Sequence, residues 1–198
     1  MKKKVFLFGL LFSLLLLCGC GVNLTSTVKL NKDFSGTRVM SCTFSSRDFH
    51  TYFKGSKKDL NKLIKESCPD ALTYTSSSSD GNDTYTFCLR FSSLDDYKKK
   101  VRDLLNFSPE ITYEYGDSPF VSGLIYKENF TSKDLMTWLY TALYEGKYID
   151  KDSSSDLWDL KSTKISFLGK TYEMKDKINI DEMSYVPLSS ITIDTQTK

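Results

Sequence analysis

A threefold repeat of strand, strand and helix constrains the fold of this chain more than any other feature. In each repeat a strand-like segment ends in an aromatic residue, two hydroxyl residues follow, and an amphipathic helical segment comes next. The junctions are Phe44-Ser45-Ser46, Phe91-Ser92-Ser93 and Phe130-Thr131-Ser132. A serine or threonine at a helix start accepts a hydrogen bond from a free backbone N–H group, and an acid in the first turn favours the helix dipole. The junctions therefore predict three helix starts.

A hairpin is predicted before each junction. Residues typical of turns lie at 31–36, 76–83 and 116–119, between segments of strand-like composition. The resulting order is ββα-ββα-ββα, and its centre reads β-α-β-β-α-β, which is the ferredoxin-like pattern. We therefore expect an α+β fold in which an antiparallel sheet carries helices on one face.

The chain changes character after residue 150. A segment rich in serine and aspartate covers 151–156, and short strand-like runs separated by turns follow it. We expect residues 20–150 to form one α+β domain of three ββα units, and residues 156–198 to form a small β-rich appendage. Because an unpaired edge strand exposes backbone donors and acceptors, the last strand-like run, 191–195, is expected to join the sheet or to pair with a partner.

The N-terminus has the pattern of a lipoprotein signal peptide. Three lysines precede an apolar run of 13 residues, which is too short to span a bilayer and typical of a signal peptide. The run ends in Leu17-Cys18-Gly19-Cys20, which matches the bacterial lipobox. We expect residues 1–19 to be removed by cleavage between Gly19 and Cys20, and Cys20 to carry diacylglycerol and acyl lipid. Cys18 is the rival site, but cleavage before it would put the bulky Leu17 where the peptidase needs a small residue.

Such an anchor would hold the protein on the extracytoplasmic face of the cell membrane. Of the 27 basic and 25 acidic residues in the chain, cleavage before Cys20 removes three lysines and no acid, so acids exceed bases by one. This balance argues against nucleic acid as a partner, and against strong adhesion to anionic lipid.

No pattern in the chain indicates a catalytic or metal site. His50 is the single histidine, which excludes sites built on two or more histidines, and motifs such as GxSxG or GxGxxG are absent. The three remaining cysteines, Cys42, Cys68 and Cys88, are expected to be free thiols. We therefore expect no catalytic residue, no metal and no cofactor beyond the lipid on Cys20. Two pairs of acids, Asp95/Asp96 and Asp181/Glu182, leave open a hydrolase that uses paired carboxylates.

Tyrosine is the residue type in surplus, with 12 copies. Tyr113, Tyr115 and Tyr126 lie on neighbouring predicted strands of the third unit. Since tyrosine offers an apolar ring and a hydrogen-bonding tip, the three are candidates for a binding surface. The alternative is that they cover a sheet edge and serve packing alone.

The start of the mature chain resembles the LppM-like family of bacterial lipoproteins. The shared pattern is the lipidated Cys20, a strand from Leu24 to Leu30, the turn at 31–36 and a second strand, and the junction Phe91-Ser92-Ser93-Leu94 is also similar. The resemblance implies an association with envelope lipids, and it supplies no catalytic residues.

Three functions remain open at this point. The first is a non-enzymatic binding or interaction module at the cell envelope, whose partner is a protein, a peptide or a lipid. The second is a small envelope hydrolase, and the third is the solute-binding lipoprotein of a transporter. The first predicts an apolar cavity or an aromatic patch between the helices and the sheet. The second requires two carboxyl groups that face each other about 5–10 Å apart in a cleft.

Overall fold

A computed structural model describes residues 22–117, 122–150, 158–159, 162–175, 177–181 and 184–194. The strands are β1 (Val22–Leu30), β2 (Gly36–Ser45), β3 (Leu72–Ser79), β4 (Asn82–Phe91), β5 (Ile111–Asp117), β6 (Ser122–Glu128), β7 (Trp158–Asp159), β8 (Ser162–Phe167), β9 (Lys170–Lys175), β10 (Lys177–Asp181) and β11 (Ser184–Asp194). The helices are α1 (Ser46–Tyr52), α2 (Lys57–Ser67), α3 (Leu94–Leu105), α4 (Ser132–Leu135) and α5 (Thr137–Glu145). Among these residues, none of the helices has the length and apolar character needed to cross a bilayer.

The strands form two sheets. The larger sheet has the order β3-β4-β2-β1-β8-β9, with β7 also paired to β1, and the smaller has the order β10-β11-β6-β5. All strand pairs are antiparallel except the pairs of β1 with β7 and with β8, which are parallel. The predicted α+β class is therefore confirmed, although the strands are divided between two sheets and β1 adds parallel pairs.

The ferredoxin-like pattern is realised in its first half. β4 lies between β2 and β3 and is antiparallel to both, as that arrangement requires. In the second half of the pattern, a ferredoxin-like fold would place β5 beside β2. Here β1 occupies that position. β5 pairs instead with β6 in the smaller sheet.

The strands after residue 156 extend both sheets. β8 runs parallel to β1, with Ser26 opposite Thr163, and β11 pairs with β6, with Ile191 opposite Tyr126. Of the two alternatives for the last strand, joining a sheet is the one observed, and β10 is the second partner of β11. Residues 151–157, at the predicted domain boundary, lie outside the described residues, so the domain limits stay a prediction.

The hairpin of the second unit is tighter than the sequence suggested. Asp80 and Gly81 have φ values of 52° and 75°, which are the left-handed conformations of a two-residue hairpin turn. Ser79 therefore lies opposite Asn82, and the serine tract 76–79, expected in the loop, belongs to β3. The expectation of a long loop was wrong because the Asp-Gly pair alone closes the hairpin.

The hydroxyl residues cap helices as predicted for two of the three junctions. Ser93 and Thr131 are the N-caps of α3 and α4, and their side chains accept hydrogen bonds from the N–H groups of Asp96 and Asp134 at 3.2 Å. At the first junction α1 begins directly at Ser46. A further hydroxyl cap lies at Ser56, whose side chain accepts from the N–H of Asp59 at the start of α2.

One aromatic side chain joins the two sheets. Phe34 lies in the turn between β1 and β2, is buried, and has a φ of 63°, a conformation that bulky residues seldom adopt. Its ring lies 4.5 Å from the ring of Tyr113 in the smaller sheet and about 6 Å from those of Phe91, Tyr97 and Tyr126. The packing of this ring against both sheets holds the turn in its unusual conformation.

Candidate functional site

A buried ion pair lies where the two sheets and two helices meet. Arg38 of β2 and Glu128 of β6 are fully shielded from solvent, and Nη1 of Arg38 donates to both carboxylate oxygens of Glu128 at 2.8 Å. Arg38 lies in register with the core residues Met40 and Cys42, and Glu128 in register with Tyr126. The pair therefore joins the core faces of the two sheets.

Four hydroxyl groups complete this buried polar cluster. Ser132 of α4 accepts from Nε and Nη2 of Arg38 at 2.8 and 2.6 Å, and it shares a hydrogen bond of 2.5 Å with Ser26 of β1. Tyr97 of α3 accepts from Arg38 at 2.7 Å, and Tyr126 of β6 donates to Glu128. All three ββα units thus contribute to one network.

The electrostatics of the cluster favour its charged form. Burial opposes the charge on Arg38, but the Glu128 carboxylate together with Tyr97 and Tyr126 outweighs this effect, so the pKa of Arg38 is raised. Burial raises the pKa of Tyr97 and of Tyr126, which keeps both hydroxyls protonated as donors. Because the charges satisfy each other out of contact with solvent, the cluster fits a structural role that fixes the relative position of the sheets.

An open polar cleft lies at the β3 edge of the larger sheet. It has a volume of about 370 Å³ and runs between α2 and the edge strand β3. Its lining comprises Lys57, Lys58 and Asn61 of α2, residues 76–78 of β3, and Asp83 and Tyr85 of β4. This volume falls within the range of small-molecule and peptide side-chain sites.

Two lysines at the start of α2 give the cleft its charge. The Nζ of Lys57 lies 2.5 Å from Asp83 and 2.8 Å from the hydroxyl of Ser46, so its charge is already matched. Lys58 is exposed and forms no ion pair with another described residue. The lining therefore offers one cation and a row of hydroxyl groups to a ligand.

Local sequence explains why these groups meet. Ser56 caps α2 and places the two lysines in its first turn, while the Asp80-Gly81 turn brings the serine tract of β3 alongside Asp83. Tyr74 of β3 donates to Asn61 of α2 at 2.5 Å, which ties the helix to the edge strand. The cleft is thus bounded by elements that are fixed to each other.

The space between the helices and the larger sheet is nearly filled. An apolar pocket lined by residues such as Val22, Cys42, Phe53, Leu60 and Leu139 has a volume of only about 10 Å³, which is room for about one water molecule. The apolar cavity expected for a binding module is therefore closed in this structure, and the polar cleft is the more open of the two.

The tyrosines predicted to form a surface face inward. Tyr126 is fully buried, and Tyr113 and Tyr115 are half-buried against Phe34 and Phe167, with ring centroids 4.5 and 5.3 Å apart. Tyr113 and Tyr126 lie directly opposite each other in the smaller sheet. Tyr126 is therefore shielded from an outside ligand, whereas a binding surface at the half-buried Tyr113 and Tyr115 stays a prediction. Gly19 and Cys20, the predicted cleavage and lipidation residues, lie outside the described residues.

The structure locates the predicted free thiols and most of the predicted acid pairs. Cys42, Cys68 and Cys88 are free thiols, and burial raises the pKa of Cys42, which makes its thiol unreactive. Asp96 accepts from the N–H of Ser92 at 2.9 Å and pairs with Lys100 at 3.0 Å, and these bonds lower its pKa. In the other predicted acid pair, Asp181 ends β10 and Glu182 lies outside the described residues.

Neither the buried cluster nor the cleft is predicted from the sequence. A signal for the first existed, because Arg38 interrupts an otherwise apolar register of β2. The cleft had no comparable signal, since a run of four serines next to Asp-Gly is typical of a loop.

Comparison with known proteins adds little to what the geometry of the cluster and the cleft shows. No family model matches the chain, and no curated protein matches it. Among solved structures, the chain is similar to the NMR structure of the folded domain of Mycobacterium tuberculosis LppM, with a TM-score of 0.36 and 9% identity. The similarity covers 87% of this chain and 86% of that one. This neighbour belongs to the family that the N-terminal pattern resembles, but at such similarity the function has to be inferred from the residues of this chain.

Proposed function

We propose that this protein is a lipid-anchored, non-enzymatic binding module on the extracytoplasmic face of a bacterial membrane. The observation that carries the proposal is the position of β1. This strand begins at Val22, which is fully buried in the larger sheet, and Gly21 alone separates it in sequence from Cys20. Two residues span at most about 7 Å, so a lipid on Cys20 would hold the folded part directly at the headgroups.

The cleft lies at the same end of the sheet as this predicted anchor. Because β1 and β2 are antiparallel, the start of β1 lies beside the end of β2, with Asn23 opposite Thr43. The end of β2 in turn lies beside the start of β4, with Ser45 opposite Asn82. The β3–β4 turn and the first turn of α2 border the cleft there, so a ligand in the cleft would be met close to the bilayer.

The chemistry of the cleft favours binding over bond cleavage. Its lining contains a single carboxylate, that of Asp83, and this group is held by Lys57. A glycosidase-like mechanism needs a second carboxyl group that faces the first. Hydroxyl groups and an exposed lysine are instead suited to hold a polar partner.

Replacement of Cys20 by alanine tests the anchor. The variant is expected to move from the membrane fraction to the soluble fraction of bacterial cells, because two or more acyl chains supply the stable attachment. Cys18→Ala is the matched control and is expected to stay with the membrane. Mass spectrometry of the N-terminal peptide should show acyl groups on Cys20 in the wild type. Cys20→Ala protein that resists washing from the membrane, or release of Cys18→Ala, would contradict the proposal.

A further inference from the structure

The edge strand β3 offers an unusually unprotected backbone. Among the described residues it pairs only with β4, and it stands at the end of the strand order. Its sequence is LTYTSSSS, and all residues from Thr75 to Ser79 are exposed. Natural edge strands are commonly protected by charged side chains, proline or a bulge, and β3 contains neither charge nor proline.

The register of the hairpin shows which backbone groups face outward. A two-residue turn makes the flanking residues, Ser79 and Asn82, a hydrogen-bonded pair, and such pairs then alternate along the hairpin. Ser77 and Thr75 therefore bond toward β4. The N–H and C=O groups of Ser76 and Ser78 point to the free edge.

The polar cleft lies immediately beside these free groups. The side chains of Ser76 and Ser78 line it together with those of Lys58 and Asn61 on α2. A free strand edge next to a helix-bounded cleft is the geometry in which proteins bind an extended peptide: the edge supplies main-chain hydrogen bonds and the cleft receives alternate side chains.

Charge indicates what kind of peptide fits. Lys57 is neutralised by Asp83, whereas Lys58 is exposed and unpaired among the described residues. An acidic side chain of the ligand would complete the ion pair. The surface around the cleft is not basic overall, since Asp59 and Asp80 are exposed nearby and Lys54 is paired with Asp150 at 2.5 Å. This mixture favours one carboxylate on a peptide over an anionic lipid surface.

We propose that β3 binds an extended peptide segment of an envelope protein by strand addition, with an acidic side chain of that segment paired to Lys58. The proposal rests on the proposed function as a binding module and names its partner. Ser76 and Ser78 supply the main-chain donors and acceptors, and the cleft between β3 and α2 selects the side chains.

The probe is a phage-displayed library of random heptapeptides, panned on the full chain purified in detergent. Peptides that carry an acid are expected to be enriched, and a fluorescein-labelled copy is then titrated by fluorescence anisotropy. Ser76→Pro removes an outward N–H without removing a bond to β4, and we expect it to weaken binding at least about tenfold. Lys58→Glu should weaken it at least about fivefold. Thr171→Pro is the matched control, because Thr171 is the second residue after the Leu168-Gly169 turn at the opposite edge of the same sheet.

Hydrogen exchange gives a readout that needs no variant. The amides of Ser76 and Ser78 should gain protection when the peptide binds, while the amide of Thr171 should not. If Ser76→Pro fails to fold, Lys58→Glu and the exchange data decide the matter.

Strand addition would be refuted if no peptide is enriched, if Ser76→Pro and Thr171→Pro bind alike, or if the protected amides lie outside β3. A different result would overturn strand addition in favour of a headgroup site. In that result the protein binds vesicles of phosphatidylglycerol and phosphatidylcholine, Lys58→Glu abolishes this binding, and no peptide is bound. These results are independent of membrane fractionation, so failure here is distinguishable from failure of the anchor.

Discussion

The buried cluster and the polar cleft contain the same chemistry in opposite surroundings. Each has a basic side chain paired with an acid from a different element, and each includes serine and tyrosine hydroxyls. The side chains of Arg38 and Glu128 are both 0% exposed, whereas those of Lys57 and Asp83 are 39% and 11% exposed. The first pair has no group left for an outside partner. The cleft around the second pair leaves Lys58 and the serines of β3 available, so exposure separates the structural role of the first region from the binding role proposed for the second.

The largest expected effect comes from breaking the buried pair. Arg38→Met or Glu128→Leu alone leaves an unmatched charge in the core and should lower the free energy of unfolding by about 3–5 kcal/mol. The double variant should lose clearly less than the sum, with a coupling of more than about 1 kcal/mol. Urea unfolding followed by circular dichroism measures all three. Additive losses would mean that the two groups do not depend on each other.

An intermediate effect is expected at the partly exposed ion pair of Lys57 and Asp83. Lys57→Met should lower the free energy of unfolding by about 1 kcal/mol or less, because solvent screens the pair, and added salt should reduce the difference. Lys62→Met is the control, since Lys62 and Glu66 are 3.9 Å apart and largely exposed. Urea unfolding at low and high salt gives the comparison. A loss at Lys57 as large as that at Arg38 would remove the distinction between the two regions.

The smallest effect is expected at a partly exposed acid, Asp96. Its pKa is lowered by the hydrogen bonds from Ser92 and by Lys100, so its contribution is present above the unfolded-state pKa near 4 and is lost as pH falls through the folded-state value. Asp96→Asn should therefore cost about 0.5 kcal/mol at pH 7, after allowance for screening, and almost nothing near pH 3. Urea unfolding at the two pH values is the test.

The matched control for this series is Asp95→Asn, which removes a charge from the same helical turn but leaves the bonds between Asp96, Ser92 and Lys100 in place. It should have a weaker pH dependence than Asp96→Asn. Equal pH dependence in both variants would show that the helix dipole, and not these bonds, accounts for the lowered pKa.

Local structure could be predicted from the sequence more fully than the sites. The hydroxyl caps at Ser93 and Thr131 depend on residues within one helical turn, and the structure confirms them. Residues 76–79 were misassigned because the turn, not the serine composition, decides where a hairpin strand ends. The partners of Arg38 are 59 to 94 residues away along the chain, and single-sequence patterns carry no information on such pairings. For the same reason the sequence could not show that β8 would run beside β1.

This position of β1 between two neighbours has a mechanical consequence. The strand pairs along most of its length with β2 on one side and with β7 and β8 on the other. Since backbone hydrogen bonds run across the strands, a force that pulls on Cys20 along the axis of β1 would load both rows in shear at once. A strand at the edge would be peeled off one bond at a time. The fold is thus resistant to pulling at the point where the predicted lipid attaches, and we expect the acyl chains to leave the bilayer before β1 leaves the sheet.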